Sequence, residues 1–190
     1  MTDYDYAFVG GAPDGYVIES CVGAPARCLP ETGRNDLLAA KVSLDATNVY
    51  FYVRTRAPVT SSSESNWMLL FIDVDQNPKT GWLGYDFVVN RVNVRTQTTT
   101  IERNLGGYHW GMPQDIPCRV VGNELELAIS RTLLGLTNLP AALDFKWADN
   151  IQQTGEASDF TLNGDAAPND RFNYRAKFPK VTSVSAAARP

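Results

Sequence analysis

A chain of 190 residues with 44% hydrophobic and 20% charged residues has the composition of one globular domain, and a chain of that length buries roughly 70% of its unfolded surface. Its 17 Lys and Arg against 21 Asp and Glu leave a net charge of −4 with no basic run. That argues against nucleic acid and anionic membranes as partners, since both need clustered cations. No stretch approaches the roughly 20 apolar residues of a membrane span.

The opening residues, Met1 to Tyr6, lack the basic start and apolar stretch of a leader. Strand signals then recur along the chain while helical periodicity is nearly absent. Leu37 to Leu44 and Val49 to Val53 flank the turn residues Asp45 to Asn48 and predict a hairpin. Trp67 to Ile72 is apolar on both faces, the pattern of a strand covered on both sides. Further strands are expected over Tyr85–Val94 and Thr98–Arg103. Arg119–Val121 and Glu124–Ile129 are joined by the hairpin turn Gly122-Asn123. Ser130 caps a helical turn at Arg131–Leu134. Leu143–Trp147 alternates, and Phe172–Phe178 closes the domain. The expected fold is an all-β antiparallel sandwich, jelly-roll-like, with about eight to ten strands and at most one short helix. Residues 1–180 read as one domain, and 181–190 (VTSVSAAARP) as a linker stub or frayed tail.

The cysteines are Cys21, Cys28 and Cys118. Cys21 and Cys28 are close enough in sequence to close a small loop in a secreted protein, and three unpaired thiols are an equal alternative.

Three constellations carry possible chemistry. Asp73, Asp75 and Asn77 offer side-chain oxygens at alternate positions directly after a buried strand. This is how a tight loop aims several hard donors at calcium. The same residues also suit turn chemistry, because Asp and Asn bond their own backbone. Asp86, Asp149 and Asp159 are the candidates to complete a metal site.

The second constellation is aromatic. Trp82, Tyr85, Tyr108 and Trp110 lie among glycines and polar residues. Aromatic rings there can stack on the C–H face of a sugar, or cap the end of the sandwich. The third is polar, running from Trp147 through Asn150 and Gln153, then Asp159 to Asp165 and Asp170 to Tyr174, with Asn90-Arg91 beside it. Amides, carboxylates and a guanidinium of this kind line sites for hydroxyl-rich ligands or close a loop by hydrogen bonding.

Catalysis has little support. His109 is the one histidine, and no G-x-S-x-G occurs. The alternatives to a sugar-binding module are a structural accessory domain packed on a catalytic partner and, weaker, a small polysaccharide lyase built on Tyr108, His109 and Arg91 or a hydrolase using a carboxylate pair.

The stretches WMLLFIDVDQNPKTGWLGYDFVVNR (67–91) and LDFKWADNIQQTGEASDFTLNGDAAPNDRFNY (143–174), with the hairpins at 33–55 and 123–136, resemble the family 9 carbohydrate-binding modules and their DOMON-like relatives. The variant resembled is the one at the C-terminal end of secreted bacterial polysaccharide-degrading proteins. The resemblance implies a non-catalytic module that binds polysaccharide or oligosaccharide, with structural calcium on Asp73, Asp75 and Asn77. The sugar would lie among Trp82, Tyr85, Arg91, Tyr108, Trp110, Asn150 and Phe160. It further implies a catalytic domain in the same parent chain and a place outside the cell or on its surface. The paired tryptophans that clamp sugar in such modules have no counterpart here. Ser61–Ser65 stands at the first position, and Phe160 is the sole aromatic of 159–171.

Overall fold

The computed structural model describes residues 7–12, 15–19, 34–92, 94–136, 142–152, 154–162, 164–168 and 172–178. Cys21, Cys28 and the 181–190 tail lie outside them. Among the described residues the fold is all-β. The strands are β1 (Ala7–Ala12), β2 (Gly15–Glu19), β3 (Leu37–Leu44), β4 (Asn48–Thr55), β5 (Leu69–Asp73) and β6 (Phe87–Val89). They continue as β7 (Thr98–Arg103), β8 (Gln114–Val121), β9 (Glu124–Ser130), β10 (Ala142–Asp149), β11 (Asp165–Ala167) and β12 (Tyr174–Lys177). Among the described residues the one helix is the four-residue turn α1 (Asp159–Leu162).

All strands belong to a single 12-stranded antiparallel sheet, in the order β1-β2-β3-β4-β9-β8-β7-β6-β5-β10-β11, with β12 also on β10. The sheet folds over itself through β8. Its first half, Gln114–Pro117, pairs with β7, and its second half, Cys118–Val121, pairs with β9. A strand that changes sheets makes the corner of a sandwich. Pro117 sits at that corner, where a missing N–H is tolerated best.

Alternation decides what lies inside. In β4, Val49, Phe51 and Val53 are buried, as are Leu125, Leu127 and Ile129 in β9. They meet Leu70, Ile72, Phe87, Val89, Phe145 and Trp147 from the second layer. Phe51 and Phe145 touch edge to face at 5.6 Å, joining the two layers.

The second layer is covered on its outer side as well. Every residue of β5 and β10 is buried, in agreement with the reading of 67–72 as apolar on both faces. That outer face is where the candidate site forms.

The helical turn expected at 131–134 forms as a single hydrogen-bonded turn, with Leu134 N–H donating to Ser130 O and Leu136 N–H to Arg131 O. Other elements differ from expectation. The strand expected over 85–94 contracts to Phe87–Val89. Before it, Trp82 and Tyr85 pair with each other, and after it Asn90 turns to φ 66°. The β1–β2 hairpin, the first half of β8, and β11 were not anticipated from the sequence pattern.

Candidate functional site

The aromatic residues singled out in the sequence converge on the outer face of the second layer. Residues on that face form a row across the strands, Lys146 opposite Phe71, Phe71 opposite Val88, and Val88 opposite Glu102. Phe71 is the floor.

A miniature hairpin sets two rings on it. Trp82 and Tyr85 exchange both backbone hydrogen bonds, at 3.0 and 2.9 Å. Leu83 and Gly84 between them both have positive φ, the geometry of a tight two-residue turn. Trp82 and Tyr85 then lie 5.3 and 5.2 Å from Phe71 between ring centroids. Phe160 of α1 approaches Phe71 at 5.6 Å and Trp82 at 5.8 Å.

The loop between β7 and β8 brings the remaining rings. Asn104 pairs with Trp110 as an isolated bridge, and the Asn104 side chain holds both Gly106 N–H and Gly107 O. Tyr108 stands edge-on to Trp82 at 4.7 Å and to Trp110 at 5.6 Å. On its other side the backbone of Gly155 comes so close that a Cβ there would lie 3.2 Å from Tyr108 Cγ.

These rings do not present equal surfaces. Trp82 is 6% exposed, Tyr85 3% and Phe160 5%, so all three form the covering layer of the sheet. The Tyr85 hydroxyl is tied to Asn173 Oδ1 at 2.5 Å. Tyr108 and Trp110 are half-buried. Their polar atoms, the Tyr108 hydroxyl and Trp110 Nε1, are shielded and have no hydrogen-bond partner among the described residues. Burying such groups unpaired costs about 1–3 kcal/mol each.

Charged groups border Tyr108. Arg91 donates from Nε to Glu102 Oε2 at 2.8 Å and from Nη2 to Oε1 at 2.5 Å. Burial raises the Tyr108 phenol, opposed by Arg91 and reinforced by Glu102 and Asp159. On the other flank, buried Lys146 places Nζ 5.0 Å from the Phe160 ring and donates it to Pro168 O at 2.5 Å.

Glu102 and Lys146 were missed in the sequence. Glu102 alternates with inward Ile101, so it reads as solvated, but its side of the sheet is covered. Asn150 serves local structure. Its N–H donates to Asn66 O, and its side-chain oxygen accepts from Gln152 Nε2. Neighbouring Asn90 donates Nδ2 to Met68 O at 2.6 Å.

At the far end of β5, carboxylate oxygens of Asp73, Asp75 and Asp86 lie within 4.8 Å of one another. Of the residues weighed to complete the site, Asp86 is the one brought in. Asn77 instead closes its own turn, its side-chain oxygen accepting Lys79 N–H at 3.1 Å. Asp73 Oδ1 accepts Gln76 N–H, Asp86 Oδ2 accepts Val74 N–H, and Asp75 accepts Asn77 N–H and the Thr80 hydroxyl. Burial, then the facing Asp86, Asp75 and Asp144 carboxylates, push Asp73 up to about 6. Asp86 is raised as well, by burial and by Asp75. Carboxylate oxygens grouped this closely are the kind of donor a hard divalent cation takes.

The chain matches no family model, no curated protein and no solved structure.

Proposed function

We propose that this protein is a non-catalytic carbohydrate-binding module, working outside the cell or on its surface, whose ligand contacts the Tyr108–Trp110 loop. One observation carries the reading. Two aromatic rings, Tyr108 and Trp110, remain partly open above a buried aromatic layer, with Arg91 beside Tyr108. A sugar offers an apolar C–H face on which such partly open rings stack.

The lyase alternative needs a cation free to neutralise a uronate, and Arg91 is engaged twice by Glu102. The Asp73–Asp75–Asp86 cluster is proposed as a structural calcium site. Bound calcium there would relieve the mutual repulsion of the carboxylates and brace the loop that carries Trp82.

A second reading, an accessory domain packed on a catalytic partner of the same parent chain, draws on exposed apolar side chains. Leu83, Leu105 and Met112 are 51%, 71% and 87% exposed, on the same two loops that carry the rings.

Affinity electrophoresis in plant and algal polysaccharides, with Trp110→Ala and Tyr108→Ala beside the wild type, separates the readings. Retardation lost in either variant supports the module. A folded wild type that is retarded by no glycan leaves the accessory domain.

A further inference from the structure

The two layers are joined through β8 along one side. Along the other they meet where β11 approaches the start of β3, and the connection there is made by side chains. Asp149 and Asp165 are directly paired across β10 and β11. Each takes hold of the same short segment. Asp149 accepts Arg34 Nε at 2.9 Å and Nη2 at 3.0 Å, while Asp165 Oδ2 accepts Leu37 N–H at 2.6 Å.

Asp149 is fully buried and also accepts Met68 N–H at 2.8 Å. Gly164 makes the close approach possible, since a Cβ there would fall 2.1 Å from Asp149 O. The charges facing this junction are unbalanced. Asp36 lies beside Asp165 in the 34–37 segment, with Arg56 on its outer side at 2.5 Å. Glu64 shares Arg34 at 2.9 Å. Among the described residues four carboxylates therefore meet two guanidiniums, and Arg34 bonds Asp149 of the inner pair.

We propose that the Asp149–Asp165 pair is a pH-sensitive latch closing the sandwich along its β3–β11 side, firm in acid and weakened above neutrality. A neutral Asp165 still accepts Leu37 N–H and removes a half-buried negative charge paired with the buried Asp149. An ionised one restores the repulsion with Asp149 and Asp36.

The titration range agrees. Burial first, then Asp36 and Asp149, push Asp165 up to about 6, against the Leu37 and Ala166 N–H groups. A raised carboxylate favours the folded state below its unfolded range near 4, and that contribution is lost as pH rises through about 6.

The test is thermal unfolding of wild type and Asp165→Asn from pH 4.5 to 8. The neutral isostere should melt about 3 °C or more above the wild type at pH 8 and close to it at pH 4.5. The comparison cancels the titration of Asp73 and Asp86, which both proteins share. A constant offset across the range, or a variant less stable at pH 8, overturns the latch. Should the variant not fold, the carboxyl carbon of Asp165 in the wild type is followed by NMR. A midpoint above pH 5 supports the latch, and one below 4.5 overturns it.

Discussion

Arg91 grips Glu102 with two parallel hydrogen bonds, and the two ends of that pair live in different media. The Arg91 side chain is 33% exposed while that of Glu102 is 1% exposed. A carboxylate so placed is stabilised by its one guanidinium, and the guanidinium keeps a hydrated edge. Glu102→Gln leaves Arg91 half-solvated and unpaired. The expected loss is about 1–3 kcal/mol, below the full cost of an orphaned interior charge because Arg91 can turn to water. Urea unfolding measures it. If glycans bind at Tyr108 and Trp110, the same variant should also take up uronate-containing oligosaccharides about tenfold more tightly than the wild type. Titration calorimetry with matched neutral and acidic oligosaccharides checks this.

The rings divide into those that hold the sheet and those that can meet a ligand. Trp82→Ala removes a buried ring packed on Phe71, Tyr108 and Phe160, so a loss of about 3–5 kcal/mol in stability is expected. Trp110→Ala should cost less stability, since its ring is half-buried. It should weaken glycan retention by about 2 kcal/mol, roughly thirtyfold. Running both variants through denaturation and affinity electrophoresis separates packing from binding. Equal stability losses would remove the distinction.

The Asp73–Asp75–Asp86 cluster carries opposite pH signs with and without a cation. With no cation, Asp73 is raised to about 6. Its contribution to stability is therefore full below about pH 4 and lost as pH rises through 6. With calcium, the ionised carboxylates are the ligands, so stabilisation grows as pH rises through the same range. Differential scanning calorimetry in calcium and in chelator at pH 5 and 7.5 is the measurement. The two melting curves should separate by several degrees at pH 7.5 and converge at pH 5, and Asp86→Asn should abolish the separation.

Two glycines with similar backbone angles should respond differently to substitution. Gly81 (φ 66°) and Gly122 (φ 59°) both lie in the left-handed region. A Cβ on Gly81 would sit 2.1 Å from the Tyr85 carbonyl oxygen, while one on Gly122 meets nothing within 4 Å. Gly122→Ala is expected to cost about 1 kcal/mol, from backbone conformation alone. Gly81→Ala should cost about 3 kcal/mol or more, because it also forces apart the Trp82–Tyr85 hairpin. Equilibrium unfolding of the two variants checks the ratio.

Local pattern was enough for most of the sandwich. The aromatic and β-branched run at 49–53, the period-two alternation of 124–129, the Gly122-Asn123 turn and the doubly apolar 67–72 run are all properties of neighbours in sequence. The structure realises them as β4, β9 and β5. The grouping of Trp82, Tyr85, Tyr108 and Trp110 also followed from composition, because rings among glycines and polar residues suit loops that cap a sheet or stack on a sugar, whereas Phe160 entered only through the family resemblance.

What the sequence did not contain was which surface those loops cover. Glu102 alternates like a solvated residue and becomes buried because the outer face of its sheet is roofed by residues up to several dozen positions away. Asp86 joins Asp73 and Asp75 through the pairing of Phe87 with Ile72, which no local window records. The passage of β8 from one layer to the other at Pro117, and the Asp149–Asp165 junction with Arg34 and Leu37, are contacts across long stretches of chain. Alternation states that a side chain faces one way or the other. Only the closed packing of distant strands decides whether water or protein is found there.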